Sequence, residues 1–201
     1  MSKQTDGSAP LTSARQLQTP AALALADLTA IFDDLQFVLK CCERLISELG
    51  RRQHDEVLLE SLWVSALSSY ARCFRTGKRG MNLSASDLTA TGLKGDVQEW
   101  HKLLLKLRDY YVDERANPRE TFSVGVSQAT TGEPAGIVIT SVVQARVDET
   151  TVQQTGRLAF ELSQVLDDRI KKQQETVFTA AQAMSPKSLG ALPTIEVVAT
   201  S

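Results

Sequence analysis

Apolar residues recur at intervals of three and four over much of the chain, which is the spacing that amphipathic helices require. The first such stripe follows Thr19 and Pro20, which suit the N-cap and the first turn of a helix, and it ends at Gly50. We therefore predict a long helix that packs against neighbouring helices along one face. Its apolar residues are Leu28, Ile31, Leu35, Val38, Cys42, Leu45 and Leu49.

A second stripe begins at His54 or Asp55 and continues to about Thr76, and it covers more than half of the helix circumference. A helix that is apolar over so much of its surface is expected near the centre of a helical domain. The glycine-rich segment that follows, residues 77–95, predicts a loop with at most one helical turn. The aromatic residues expected in the core are Trp63, Tyr70 and Phe74.

Two further helices have clear start signals. The third predicted helix begins at Asp96, with Glu99 in the position that completes a capping box, and it should end before Pro118. The fourth begins at Asp148 and continues to about Met184. The apolar stripes of both helices are narrower than that of the second, so we expect each to bury only one face.

The period of apolar residues changes to two between the third and the fourth predicted helix. Phe122, Val124 and Val126 alternate with small or polar residues. A second segment, residues 137–147, is rich in β-branched side chains, and turn-forming residues separate the two. The pattern predicts an antiparallel hairpin at about residues 121–147. Because an isolated hairpin is only marginally stable in water, we expect its apolar face to pack on the helices.

These elements together predict a mainly α fold, a helical bundle of four main helices with one antiparallel β-hairpin inserted before the last helix. We place this domain at residues 19–184. Residues 1–18 are rich in Ser, Thr, Gln and Gly, and we expect them to form a flexible N-terminal tail. Residues 185–201 are broken by Pro and Gly, and we expect them to form a C-terminal tail.

Composition narrows the classes of partner and the compartment. The net charge of the 201-residue chain is -2 at pH 7, so no strong attraction to nucleic acid or to an acidic membrane is expected. No window approaches the roughly 18 consecutive apolar residues of a membrane span, and the N-terminal residues contain no apolar run typical of a signal peptide. Cys41, Cys42 and Cys73 form no CxxC pair, and free thiols are typical of a reducing compartment. We therefore expect a cytoplasmic protein without membrane contact.

The sequence offers few residues for metal or nucleophilic chemistry. Its two histidines are His54 and His101, and neither has a glutamate three residues before it, as di-metal helical bundles require. The chain also contains no GxxxxGKS/T, GxGxxG or GxSxG motif. We expect no metal and no cofactor. Candidate chemistry is confined to residues 99–126, where His101 and Arg108 are seven residues apart and share one helix face.

Two sets of residues carry a resemblance to a known family. The first set is Trp63, Tyr70, Ala71, Arg72, Cys73 and Phe74. The second set is His101, Leu104, Leu107, Arg108, Asp109, Asn117 and Glu120. With the hairpin that follows, they resemble a group of bacterial HEPN-like proteins, members of a superfamily of helical bundles with an Arg-x(4–6)-His motif at the end of the third main helix. The resemblance covers about residues 55–145.

The resemblance also implies an activity and shows where this chain departs from it. Active HEPN proteins are metal-independent ribonucleases, and the motif's Arg and His act on the 2′-hydroxyl and phosphate of RNA, usually across a dimer interface. Asp113 stands here in place of that histidine. Because an ionised carboxylate repels phosphate, the resemblance implies a degenerate member without ribonuclease activity. The candidate catalytic residues are His101, Arg108 and Asp113. The candidate binding residues are Arg72, Arg108, Asn117 and Glu120.

We therefore expect a non-catalytic HEPN-like interaction protein that forms a homodimer or binds a protein partner. The resemblance connects it with bacterial stress response, toxin–antitoxin biology or phage defence. Two alternatives stay open: a metal-independent HEPN-type ribonuclease that uses Arg108 and His101 on RNA, and a helical scaffold or adaptor unrelated to HEPN proteins. Each of the two residues also has a structural explanation, His101 as a packing histidine and Arg108 as an ion-pair former.

Overall fold

The computed structural model describes residues 14–75, 77–115, 117–143 and 146–195. This part of the chain is mainly helical, as predicted, with six helices and two antiparallel two-stranded sheets. The helices are α1 (Pro20–Leu49), α2 (Glu56–Phe74), α3 (Ala85–Ala90), α4 (Val97–Tyr111), α5 (Glu149–Gln182) and α6 (Pro186–Gly190). The strands are β1 (Ala14–Arg15), β2 (Glu120–Gln128), β3 (Pro134–Val143) and β4 (Thr194–Ile195).

The predicted N-caps Thr19, Asp96 and Asp148 are confirmed, and Asp55, one of the two residues at which the second helix was expected to start, caps α2. Each cap side chain accepts a hydrogen bond from a backbone N–H in the first turn of its helix, and so satisfies a donor that has no partner within the helix. At α4 the second half of the predicted capping box is absent, because the Glu99 carboxylate pairs with Lys102 at 2.6 Å.

Helix α1 packs against both α2 and α5, and both run antiparallel to it. The short turn into α2 is held by the Glu48 carboxylate, which accepts a hydrogen bond from the backbone N–H of Asp55 at 2.9 Å. At the other end of this pair the Cys73 thiol lies 3.8 Å from the Ile31 carbonyl oxygen. Helix α5 returns along α1 so far that Gln173 donates a hydrogen bond to the Ala21 carbonyl at 2.8 Å.

The close approach of α1 and α5 depends on Gly156. A Cβ atom at this position would lie 3.4 Å from the Cβ of Cys42. Glycine in a helix interior costs about 1 kcal/mol relative to alanine. Its position in the middle of α5 therefore has a packing reason, since a larger side chain would push the two helices apart.

Replacing Gly156 with Leu is expected to lower the free energy of unfolding by about 2 kcal/mol, because the added atoms have no space between α1 and α5. Gly156→Ala is the matched control, since its gain in helix propensity of about 1 kcal/mol offsets the tight contact with Cys42. Urea unfolding followed by circular dichroism measures both variants. A Leu variant as stable as the unmodified chain would show that the helices do not approach this closely.

The hydrophobic core lies between α1, α2 and α5, with smaller contributions from α3 and α4. The predicted core position of the α2 aromatic residues is confirmed: Trp63 and Tyr70 are buried, and Phe74 is partly buried against the core. Helix α4 buries Leu104 alone and packs on α2, whereas α3 is attached to α5 by an ion pair between Asp87 and Arg169. In the described residues no helix has both the length and the apolar character needed to cross a membrane.

The predicted hairpin is present as β2 and β3, paired in antiparallel register with Val124 opposite Ile139. The expectation that its apolar face packs on the helices is wrong. Val124 is 71% exposed, Ile139 is 68% exposed, and every residue of β3 is exposed. The ion pairs that join the hairpin to α2 lie at its root, where Arg119 pairs with Glu60 and Arg146 pairs with Glu56, and the apolar side chains beyond the root are exposed.

The residues beyond α5 fold back toward the start of the described chain. Short strand β4 pairs with β1, with Ala14 opposite Ile195. The Arg15 guanidinium adds a hydrogen bond to the Leu192 carbonyl at 3.0 Å. Of the two predicted tails, residues 1–13 and 196–201 lie outside the described residues, whereas the described portions form β1, α6 and β4.

Candidate functional site

His101 is half-buried against the aromatic residues of α2. Its Nδ1 lies 2.9 Å from the Tyr70 hydroxyl, and its ring centroid lies 4.3 Å from that of Phe74. Burial lowers the pKa of His101, so its imidazole is neutral at neutral pH. Burial raises the pKa of Tyr70, whose hydroxyl therefore stays protonated. These contacts give His101 a packing role between α2 and α4.

Arg108 points toward Asp109 and not toward His101. Its Nη1 donates to the Asp109 carboxylate at 2.7 Å, and Arg75 at the end of α2 donates to the same oxygen at 2.7 Å. The hydrogen bond from Arg108, together with the charge of Arg75, lowers the pKa of Asp109. The Arg108 Nε is buried without a hydrogen-bond partner among the described groups. Arg108 thus belongs to a surface ion-pair cluster that joins α2 to α4.

Asp113 pairs with its near neighbour Arg115. Its carboxylate accepts hydrogen bonds from the Arg115 backbone N–H at 3.0 Å and from the Arg115 Nε at 3.0 Å. These bonds lower the pKa of Asp113, which is therefore ionised at neutral pH. The three candidate catalytic residues accordingly have three separate partners, and within the described residues no hydrogen bond or ion pair joins any two of them.

Arg72, a predicted binding residue, is part of an ion-pair cluster with α1. Its Nη1 lies 2.7 Å from one oxygen of Asp34, and the Nη1 of Arg79 lies 2.8 Å from the other. Asp34 is only 7% exposed. The sequence analysis did not identify Asp34, although one signal was available: it is an acidic residue within the apolar stripe of α1, between Ile31 and Leu35.

The two remaining candidate residues lie at the root of the hairpin. The Asn117 side-chain oxygen accepts a hydrogen bond from the Arg119 backbone N–H at 2.9 Å, and so shapes the turn that enters β2. Arg119 then forms two hydrogen bonds to the Glu60 carboxylate, at 2.8 and 2.6 Å. Beyond the end of β3, Arg146 pairs with Glu56. Glu120 begins β2 beside these pairs.

A cavity of about 440 Å³ lies between the hairpin root, α2 and the end of α4. Leu59, Trp63 and Tyr111 form part of its apolar lining, and Glu120 lies at its edge. Burial raises the pKa of Tyr111. The described residues include no group of three or more His, Cys, Asp or Glu side chains that could hold a metal ion. The four candidate binding residues thus divide into two pairs: Arg72 and Arg108 lie in ion-pair clusters, and Asn117 and Glu120 lie at the hairpin root.

The most exposed apolar feature is one side of the hairpin. Alternation along each strand and the observed register place six large apolar side chains on the same side, which we call the hairpin apolar face. The opposite side carries mainly Thr, Ser and Gly. Sequence analysis predicted these residues as buried, so it could not identify them as a surface. The hairpin apolar face comprises Phe122, Val124, Val126, Ile137, Ile139 and Val143.

Comparison with known proteins found no match: no protein-family model, no curated protein and no solved structure matches the chain. The resemblance to HEPN-like proteins is therefore untested by these comparisons and stays a prediction. The fold and the exposed surface define only a structural class of protein and no family. The chain is a mainly α protein that displays an amphipathic β-hairpin attached through ion pairs at its root.

Proposed function

We propose that the chain is a non-catalytic, HEPN-like interaction protein that works through protein–protein contact as a homodimer. The observation that supports this most directly is the hairpin apolar face, whose side chains are all more than half exposed, as for Phe122 at 58%. Large contiguous apolar surfaces of this kind mark sites of protein contact. An interaction surface also explains why a hairpin of marginal stability is held away from the helices.

The contacts of the altered motif favour a structural role over catalysis. A general base must lie within hydrogen-bond reach of the proton that it removes, with partners that leave its lone pair available. His101 instead contacts Tyr70 and packs on Phe74. Asp113 carries a negative charge paired with Arg115, which does not supply the proton that a histidine would. Ribonuclease activity through Arg108 and His101 is therefore the alternative to be tested.

An RNA cleavage assay in the presence of a metal chelator tests the non-catalytic part of this proposal. We expect the unmodified chain to cleave single-stranded RNA no faster than the Arg108→Ala and His101→Ala variants, because neither side chain is available to the 2′-hydroxyl. Arg115→Ala is the control for general loss of positive charge. Metal-independent cleavage that is lost in Arg108→Ala and kept in Arg115→Ala would overturn the proposal in favour of a ribonuclease.

A further inference from the structure

We infer that the hairpin apolar face is covered by the same face of a second copy of the chain, packed face to face about a two-fold axis. The inference rests on the proposed function, since it names the partner and the surface of that homodimer. It follows from the exposure, the charge and the shape of the hairpin.

Exposure shows that the hairpin needs a partner. A two-stranded hairpin gains stability when its apolar side packs on another element, and alone in water it is marginal at best. In the part of the chain that the structure describes, ion pairs to Glu56 and Glu60 join the root of the hairpin to α2. The centre of the apolar face, Val124 and Ile139, is 71% and 68% exposed. Burying these side chains would remove apolar surface from water without moving any helix.

Charge favours a second copy over a charged partner. Between Thr121 and Val143 the sole charged residue is Glu133, in the turn. Exposed strands in natural proteins usually carry charged side chains that prevent association. Along β2 and β3 the one charged residue is Glu120, which begins β2 at the root of the hairpin, on the same side as the apolar face. A two-fold arrangement places the turn of one hairpin beside the root of the other. Glu133 would then approach Arg119 and Arg146, whose side chains are each 65% exposed.

Shape is consistent with self-packing. The Val124–Ile139 pair is the middle one of three successive pairs on this side, and the Glu120–Val143 pair lies beyond them at the root. A two-fold axis at the middle pair packs it on its own copy. On one side of the middle pair, Phe122 lies opposite the small Ser141, and on the other side two β-branched residues pair with each other. The rotation places the Phe122–Ser141 pair over those two residues in the other copy. Large and small side chains therefore alternate across the interface.

The size of the face sets the strength that we expect. Strands of nine and ten residues span about 30 Å, and two strands give a face of about 300 Å². A stable interface buries about 800 Å² per partner. The hairpin face is well below this size, so we expect a weak dimer that dissociates on dilution.

Sedimentation velocity of the full chain over a micromolar concentration series tests the inference, with two lysine variants of adjacent residues. Ile139→Lys places a charge in the apolar face, whereas Thr140→Lys, the matched control, places it on the opposite side. We expect the unmodified chain to dimerise and Ile139→Lys to weaken dimerisation by at least about 100-fold, because a buried unpaired charge is strongly unfavourable. Thr140→Lys should change the dissociation constant by no more than about threefold.

Cross-linking gives a second readout that does not depend on affinity. The three native cysteines are buried, and burial raises the pKa of Cys42 and Cys73 to about 12, so an introduced cysteine is the reactive thiol. Val124→Cys, near the proposed axis, should form a disulfide-linked dimer on mild oxidation, whereas Ser123→Cys should not. Circular dichroism of all variants checks that the helices stay folded, as expected for an exposed face.

The outcomes separate the inference from the proposed function. A dimer that Ile139→Lys and Thr140→Lys weaken equally would overturn face-to-face packing and leave the homodimer in place. A chain that stays monomeric throughout the micromolar concentration series would overturn both the inference and the homodimer. Detection of Arg108-dependent RNA cleavage would overturn the non-catalytic function without changing the assignment of the dimer surface.

Discussion

Replacing Leu35 with Ala is expected to lower the free energy of unfolding by about 3 kcal/mol. Leu35 is fully buried in the middle of α1, the helix that contacts both α2 and α5. Its truncation removes apolar burial and leaves a cavity that two antiparallel neighbouring helices cannot close without moving. Urea unfolding followed by circular dichroism measures the effect, and the helical signal of the folded variant should stay unchanged.

Phe37→Ala is the control for this prediction. Phe37 lies on the same helix, two residues further along, but it is 47% exposed. Although its side chain is larger than that of Leu35, we expect its truncation to cost less than about 1 kcal/mol, because its surroundings are partly solvent. A greater loss at Phe37 than at Leu35 would mean that α1 is rotated about its axis relative to the structure.

Replacing Asp34 with Ala is expected to lower the free energy of unfolding by about 2 to 3 kcal/mol. Loss of one partner from a buried ion pair costs about 3 to 5 kcal/mol. We expect a smaller loss here because the two arginines left without their partner are partly solvated. The Arg72 side chain is 56% exposed and that of Arg79 is 26% exposed. Unfolding at low and at high salt measures the effect, and the difference should change little with salt, since Asp34 itself is buried.

Asp33→Ala provides the matched control, since Asp33 is the adjacent carboxylate on the exposed side of α1. We expect this variant to differ from the unmodified chain by less than about 0.5 kcal/mol. If Asp33→Ala and Asp34→Ala destabilise the protein equally, the effect comes from the charge of the helix and not from the contacts with Arg72 and Arg79. A double variant of Asp34 and Arg79 should recover part of the loss.

The helices could be predicted from the sequence because their signals are local. Thr19 and Asp148 each lie within one turn of the backbone N–H that they cap, so the residues themselves determine where the helix begins. The buried positions of Trp63 and Tyr70 follow from the wide apolar stripe of α2. The hairpin was equally clear in its alternation and turn, and β2 and β3 pair as predicted.

The exposure of the hairpin could not be predicted in the same way. Alternation shows that one side of the hairpin is apolar, but it does not say what covers that side. The prediction assumed cover from the same chain, whereas in the structure ion pairs of Arg119 and Arg146 join the hairpin root to α2 and the apolar side stays exposed. Those contacts join residues that are 59 and 90 positions apart, and no local pattern predicts pairs at such separations.

The candidate site could be predicted only in part, because most of its contacts also join residues that are far apart in sequence. The resemblance to HEPN-like proteins pointed to Arg72 and Arg108 as candidate binding residues, and both form ion pairs. The partner of Arg72 could not be predicted from a local pattern, because Asp34 lies 38 positions away in sequence. Arg108 was expected to form an ion pair, and its partner in the structure is the adjacent Asp109. Sequence reasoning could therefore name the charged groups but could not assign most of their pairs.

The pairing of β1 with β4 has a practical consequence for the order of the elements. Because Ala14 lies opposite Ile195, about 5 Å separates their Cα atoms in an antiparallel ladder. A linker of a few residues could therefore join positions 14 and 195, and new ends could be opened in the exposed turn between β2 and β3. Such a circular permutant would keep every helix contact while dividing the hairpin into two free strands. It would thereby separate the folding of the helical part from the pairing of β2 with β3.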